Sequence, residues 1–474
     1  MSMEQDLREF IQRLEAADEL VRIDEPLSTQ YEIAAAIRYI ALHNNKAAYF
    51  EKVKGHDIPI VANLLGSRKR LAMAFDVEED GLEEAYRTRK QNLLRPKIVT
   101  TAPVQEVVID RDIDICGTLP ALTYHQRDAG PYITTGVTIA KDPQTGVRGM
   151  GVHRVQVKDR DTVGIFLATP PLSHLLTKAE QLDKPLPIAI ALGVGPLTFC
   201  AGATFVPQGV DKFEIMGGFA KEPIELVKCC SVDVEVPANA GFVLEGYIIP
   251  HRREMEGPFG ESLGYYISYN NPVAKIKLIT HRQKPIYHAL VPFAGEEKSL
   301  LGMMSQVDSL PLLQSVLPQV KRTRTLGEIV VVQIEKRAED DGRKVIEYLL
   351  TTSPFIKVAV VVDGDVALSD LEEVGWAVAT RVRPDKDVVI KPDLPGFVLD
   401  PSASGGEITA DLSSLITRTA KLGIDATKPL AELERFEKVD VPAAVKEKVS
   451  ALLERLLKLN SSKLQSPVIQ PTKS

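Results

Sequence analysis

Cysteine is scarce in this chain: Cys116, Cys200, Cys229 and Cys230 are the only four in 474 residues, and no C-x-x-C pair occurs. That pattern excludes a zinc ribbon and a disulfide framework. Adjacent Cys229 and Cys230, in an apolar stretch, read as buried thiols in reducing surroundings. Long hydrophobic runs are also lacking. The most apolar stretch, Leu186 to Leu197, contains Pro and Gly and falls short of the ~20 residues a membrane span needs. The N-terminus shows no charged-then-apolar signal pattern; instead Leu7, Phe10, Ile11 and Leu14 recur at helical spacing. A cytoplasmic protein without a membrane span is expected. Positive charge is in deficit, with 57 Lys+Arg against 64 Asp+Glu and a net charge of -7, so no general nucleic-acid surface is expected. The eight histidines are scattered, and H-E-x-x-H, G-x-S-x-G and Walker A sequences are all missing. Zinc-protease, serine-hydrolase and P-loop readings lose their support.

The chain is too long for one ordinary core, and its texture changes twice. Residues 1–110 read as an N-terminal α/β domain: an opening amphipathic helix, strands at Leu20–Ile23, Ala47–Phe50 and Ile58–Asn63, and helices at Ala34–Leu42 and Leu82–Leu94. The segment Lys97–Val108 marks the boundary. Residues 111–305 are strand-rich, with strands expected at Gly136–Ala140, Gly151–Val157, Thr162–Leu167, Ile188–Leu192, Ser231–Val236, Phe242–Ile249 and Ala274–Thr280, and a helix at Lys212–Phe219. This pattern predicts a central β-barrel or sandwich. Residues 306–460 return to alternation: strand Glu328–Ile334, helix Asp340–Leu350 and strand Ile356–Val362 form a βαβ unit and imply a parallel sheet. Ser369 is the expected cap of the next helix, which carries Trp376. Val441–Leu459 reads as a lysine-rich helix and 461–474 as a disordered tail. The fold class is therefore mixed α/β (α+β).

Two stretches carry candidate chemistry. In Glu254-Met-Glu-Gly-Pro-Phe-Gly-Glu-Ser-Leu-Gly-Tyr-Tyr266, two glycines and a proline separate Glu256 from Glu261. Continuous helix or strand is not expected there, and a sharp bend is. A bend can bring both acids into one pocket, where proximity and burial push carboxylate pKa values apart. A surface turn with solvated glutamates is the competing reading. In Gly146-Val-Arg-Gly-Met-Gly-Val-His-Arg154, the glycines allow close backbone approach and Arg154 offers a planar fork for a carboxylate or phosphate. A plain hairpin with a surface arginine fits equally. The glycines do not open a helix after a strand, so a dinucleotide fold is unsupported. His288, in Pro285-Ile-Tyr-His-Ala, reads as a satisfied strand histidine.

Six stretches, in order along nearly the whole chain, carry a resemblance. They are Gly130-Pro-Tyr-Ile-Thr-Thr-Gly136, Val152-His-Arg154, Glu222-Pro-Ile-Glu-Leu-Val227, Glu256-Gly-Pro-Phe-Gly-Glu261, Trp376-Ala-Val-Ala-Thr-Arg381 and Lys421-Leu-Gly-Ile-Asp-Ala-Thr427. Together they resemble the UbiD family of reversible decarboxylases. The resemblance implies a central split β-barrel that binds prenylated FMN, and a C-terminal α/β domain that forms homodimers or higher oligomers. It implies a substrate that is an aromatic, heteroaromatic or α,β-unsaturated carboxylic acid, CO2 as co-product, and a UbiX-type flavin prenyltransferase that supplies the cofactor. The family's catalytic arginine and two acids fall on Arg154, Glu256 and Glu261, with Arg154 holding Glu256 and Glu261 moving the proton. Cofactor contacts are implied for Val152, His153, Arg154, Lys212, Glu256 and Lys421. Basic residues such as Lys298, Arg322 or Arg324 near the pocket would favour a second acidic group on the substrate.

The resemblance breaks at the metal. Relatives hold a divalent ion (Mn or Mg) through Asn, His and Glu, and here the Asn position is Gly149 and the Glu position is Lys212. His174 matches the remaining ligand only across a short gap. Glycine has no ligating side chain, and an ammonium cannot bind a hard cation. Two readings stand: Lys212 takes over the metal's role at the flavin phosphate, or flavin binding has decayed.

Overall fold

The computed structural model describes residues 6–167, 169–207, 209–403, 416–439, 441–442, 444–450 and 452–453. Contacts divide the chain into a unit spanning Met1–Thr427 and a second spanning Lys428–Ser474.

At the centre of the first unit, six strands close on themselves. They are β1 (Tyr132–Lys141), β2 (Arg148–Val157), β3 (Thr162–Ile165), β4 (Leu186–Leu192), β5 (Phe242–Gly260) and β6 (Tyr266–His281). The order β5-β4-β1-β2-β3-β6 is antiparallel throughout, and β6 pairs back onto β5 to complete a barrel. Alternation along each strand explains its two faces. In β4, Ile188, Ile190 and Leu192 enter one core cluster while Ala189 and Ala191 enter another.

Three helices flank the barrel: α1 (Leu172–Gln181), α2 (Pro196–Ala203) and α3 (Lys212–Ala220). Asp211 caps α3 by accepting from the Phe213 amide at 3.0 Å. Close approach requires glycine at Gly218, where a Cβ would stand 2.2 Å from the Asn92 carbonyl oxygen.

In the N-terminal region, helix Leu7–Ala16 buries Leu7, Phe10, Ile11 and Leu14 as its spacing predicts. Strands Leu20–Ile23, Ala47–Phe50 and Ile60–Ala62 form a sheet completed by Tyr287–Ala289, which arrives from the far side of the barrel sequence. His288 sits in that fourth strand, buried, with Nε2 3.1 Å from Glu296; it is a satisfied strand histidine. The Lys97–Val108 segment is stitched into the central region: Lys97–Val99 pairs with Glu225–Lys228, and Val107–Ile109 pairs with β6.

In the C-terminal region, Ile329–Ile334 and Val358–Asp363 are parallel neighbours joined through helix Asp341–Thr352, the expected βαβ unit. The five-stranded sheet also holds Val320–Leu326, Val388–Phe397 and Ile416–Ala426.

Five local expectations are corrected. The segment expected to bend away from strand, Glu254–Gly260, lies inside β5, because the bend is absorbed by a bulge in a continuing ladder. Helix Gly295–Val316 runs through the 305/306 boundary. The strand expected at Ser231–Val236 is confined to Glu235–Pro237, since the Glu245 carboxylate draws the amides of Cys230 and Ser231 into a turn. Cys230 is exposed and Cys229 half-buried. The helix carrying Trp376 is capped by Asp370, not Ser369; the Asp370 carboxylate accepts from the amides of Glu372 and Glu373. Residues 444–450 and 452–453 are helical, and the remainder of the Val441–Leu459 helix, with the tail 461–474, lies outside the described residues.

Candidate active site

Five residues is an odd spacing, so in a regular strand Glu256 and Glu261 would point to opposite faces. The chain avoids this with one extra residue. Glu256 is opposite Tyr269, but Phe259 is opposite Ile267: three steps on β5 against two on β6. Such a bulge shifts the alternation by one. Phe259, and then Glu261 just beyond the strand end, return to the face of Glu256. Gly257 makes the bulge possible at φ 106, where a Cβ would stand 2.5 Å from the Ile267 carbonyl oxygen.

Arg154, on the facing strand β2, engages both acids. Its Nε donates to Glu256 Oε1 at 3.1 Å and its Nη2 to Glu256 Oε2 at 2.7 Å, a two-pronged fork. Its Nη1 is paired with Glu261. Asn271 on β6 donates a further hydrogen bond to Glu256 Oε2 at 2.8 Å. Glu256 is 0% exposed, whereas the Glu261 side chain keeps 13% exposure. The guanidinium packs against two aromatic rings, 4.3 Å from the Phe166 centroid and 5.2 Å from that of Phe259. Two tyrosines border the network. Burial raises the Tyr269 phenol to about 12, with Arg154 opposing and Glu256 adding to the shift. Tyr132, 4.3 Å from Phe259 between ring centroids, is shifted upward by burial and then by Glu256.

The turn after β5 is held locally. Ser262 donates its amide to Glu261 Oε2 at 2.9 Å, and the Gly264 amide donates to the Glu261 carbonyl at 2.8 Å. Asp128 clasps the bulge from outside, accepting from the amides of Gly260, Tyr124 and His125.

His153 faces away from Arg154 along β2 and is buried. The Phe166 carbonyl, an acceptor only, lies 2.9 Å from Nδ1 and so assigns the ring proton to that nitrogen. Burial lowers the imidazole to about 4, the Phe166 bond opposes this, and the charge of Lys212 lowers it further. It is neutral, with Nε2 left as an acceptor. Lys212, 5% exposed, donates from Nζ to the Gly202 carbonyl at 2.8 Å, and burial lowers it to about 7. Val152 packs its Cγ2 toward Gly202, where an added Cβ would meet it at 3.2 Å.

The structure therefore brings Arg154, Glu256 and Glu261 together, with Val152, His153 and Lys212 on adjoining surfaces. It does not bring Lys421 to them. Lys421 lies in the C-terminal sheet, its ammonium donating to the carbonyls of Leu350 and Ser353 at the end of helix Asp341–Thr352. Lys298 lies over the exposed Phe293 ring, and Arg324 donates to the Leu368 carbonyl. Asn271, Asp128 and the rings of Phe166 and Phe259 escaped sequence reasoning. Only the acid pair flanking Gly-Pro-Phe-Gly signalled that this strand was special.

The site is thus an arginine that bridges two acids across a bulge in a closed antiparallel barrel. Family models cover nearly all of the chain: the N-terminal, Rift-related and C-terminal domains of 3-octaprenyl-4-hydroxybenzoate carboxy-lyase match residues 11–88, 97–294 and 298–426. The chain belongs to the UbiD family of carboxy-lyases. It is similar to phenolic acid decarboxylase of Sedimentibacter hydroxybenzoicus, at 35% identity over 90% of this chain and 92% of the relative. It is similar to anhydromevalonate phosphate decarboxylase of Methanothermobacter thermautotrophicus, at 32% identity over 91% and 99%. Among solved structures, the UbiD-class enzyme HmfF of Pelotomaculum thermopropionicum in complex with FMN superposes with a TM-score of 0.86. That pair shares 38% identity, covering 93% of this chain and 98% of that one. An evolved dimeric form of HmfF in complex with prFMN gives a TM-score of 0.81.

Proposed function

We propose that this protein is a prenylated-FMN-dependent decarboxylase of an aromatic, heteroaromatic or α,β-unsaturated carboxylic acid, with Glu261 as the proton donor. The observation that carries the reading is the bulge that turns Glu261 onto the face of Glu256 and against Arg154. A flavin fits the residues present: Gln156 Oε1 (on the Arg154 face of β2) and Ser173 Oγ are buried with no hydrogen-bond partner among the described residues. A divalent metal does not fit. Gly149 offers no side chain to ligate, a Cβ there would stand 2.9 Å from Leu175 Cδ1, and His174 is exposed. Among the described residues, no cluster of three or more His, Cys, Asp or Glu is spaced for a metal.

When bound, the prenylated flavin supplies an electron sink for cleavage of the carboxyl carbon bond. Arg154 and Asn271 together give Glu256 three donors, which hold its carboxyl group in place. Glu261 shares the third guanidinium nitrogen, sits on a turn and retains exposure. It can deliver its proton to the carbon that has lost CO2 and regain one from water, or run in reverse during carboxylation. Cofactor supply falls to a UbiX-type flavin prenyltransferase. No helix among the described residues is long and apolar enough to cross a membrane, and the unpaired cysteines fit a cytoplasmic setting.

The test is CO2 release from aromatic, furan, pyrrole and acrylic acids by anaerobic holoprotein co-expressed with a flavin prenyltransferase. Glu261→Gln is expected to lower turnover by roughly 10²–10⁴-fold while cofactor absorbance is retained. Unchanged turnover in that variant would remove Glu261 from the role.

A further inference from the structure

Among the described residues, two lysines are buried, Lys212 and Lys421. Lys421 donates to two carbonyls. Lys212 donates to one, and among the described residues no carboxylate lies within ion-pair distance of it. An ammonium carries three donors, and enclosing it with two unmatched is costly unless an anion completes the set. Nearby acids are committed elsewhere: Asp211, the neighbouring residue, accepts from the Phe213 amide and from Arg148 Nε at 2.8 Å. The groups that Lys212 senses are His153, held neutral, and Lys90, a like charge. The surface beside the barrel thus offers an ammonium and leaves out the acids that a cation would need. It is chemically an anion site.

We propose that Lys212 is the counter-charge for the phosphate of the flavin cofactor, doing the work of a divalent metal, so that this chain binds its cofactor without one. The inference rests on the flavin reading above and extends it to how the cofactor is anchored. The competing role for Lys212 is structural: its bond to Gly202 caps the C-terminal end of α2. Capping would affect stability and have no preference for phosphate.

The experiment titrates cofactor-free full-length protein with FMN and with riboflavin, which lacks the phosphate, following flavin fluorescence in EDTA and again with added Mn²⁺. FMN is expected to bind in EDTA with unchanged affinity on adding Mn²⁺, and more tightly than riboflavin by about tenfold or more. Lys212→Met should erase that preference while leaving riboflavin affinity in place, and Lys212→Arg should retain most of it. Loss of FMN in EDTA with recovery in Mn²⁺ would overturn the proposal; this arm uses the unaltered chain and does not depend on any variant folding. So would an unchanged FMN-to-riboflavin ratio in Lys212→Met. Failure of the unaltered chain to bind either flavin overturns the flavin reading itself, and this inference with it.

Discussion

Arg154 is the residue on which the site turns, and its shape matters as much as its charge. Three guanidinium nitrogens address two carboxylates, two on Glu256 and one on Glu261. The rings of Phe166 and Phe259 pack against the guanidinium. A lysine keeps the charge but not the fork, and it cannot pack against Phe166 and Phe259 in the same way. Arg154→Lys is therefore expected to lower kcat by at least about 100-fold and to lower thermal stability. Arg154→Ala should be worse, because an unpaired buried carboxylate typically costs on the order of 3–5 kcal/mol. Thermal melts and single-turnover rates check both. Equal melting temperatures for the two variants and the parent chain would show that Glu256 does not depend on the fork.

At the scale of the element, the bulge in β5 converts sequence spacing into geometry. Gly257 is held at φ 106 with a carbonyl oxygen where a Cβ would go, so Gly257→Ala strains the backbone by about 1–3 kcal/mol. The expected outcome is a lowered melting temperature together with a drop in kcat, as Glu261 moves off the shared face. A variant that melts lower but turns over normally would separate the bulge from catalysis. The segment also shows where sequence reading stops. Gly-Pro-Phe-Gly predicts a bend, and the chain takes it up as a bulge inside the strand. The irregularity is one extra residue within a paired strand, and only the register with β6 reveals it. Asn271 and Asp128 carry no local signal either: Asn271 reaches Glu256 across the β5–β6 pairing, and Asp128 reaches the Gly260 amide from a loop far upstream. The helix Leu7–Ala16 and the βαβ unit were legible because their signals are local periodicities.

At the scale of the whole molecule, family-like motifs mix chemistry with scaffold. Arg381 of the Trp376–Arg381 stretch pairs with Asp363 and Asp365, and Gly423 of the Lys421–Thr427 stretch lies where a Cβ would meet Ile346 at 2.1 Å. Both hold the C-terminal α/β region together. Order along the chain thus recovers architecture without saying which residues face the barrel. The second contact unit adds a different demand. In the helical residues 444–450 and 452–453, Val445, Val449, Leu452 and Leu453 recur at helical spacing and are 48%, 43%, 43% and 49% exposed. An apolar stripe of this kind calls for a covering surface. The prediction to be tested is that a second copy of this chain supplies the cover. Light scattering after size exclusion should find the full-length protein as a dimer or larger. Val449→Glu, which places a charge in the stripe, should shift it toward monomer while the barrel's near-ultraviolet circular dichroism is kept. A monomeric full-length protein, or a Val449→Glu variant with undiminished assembly, would mean the stripe is covered in some other way.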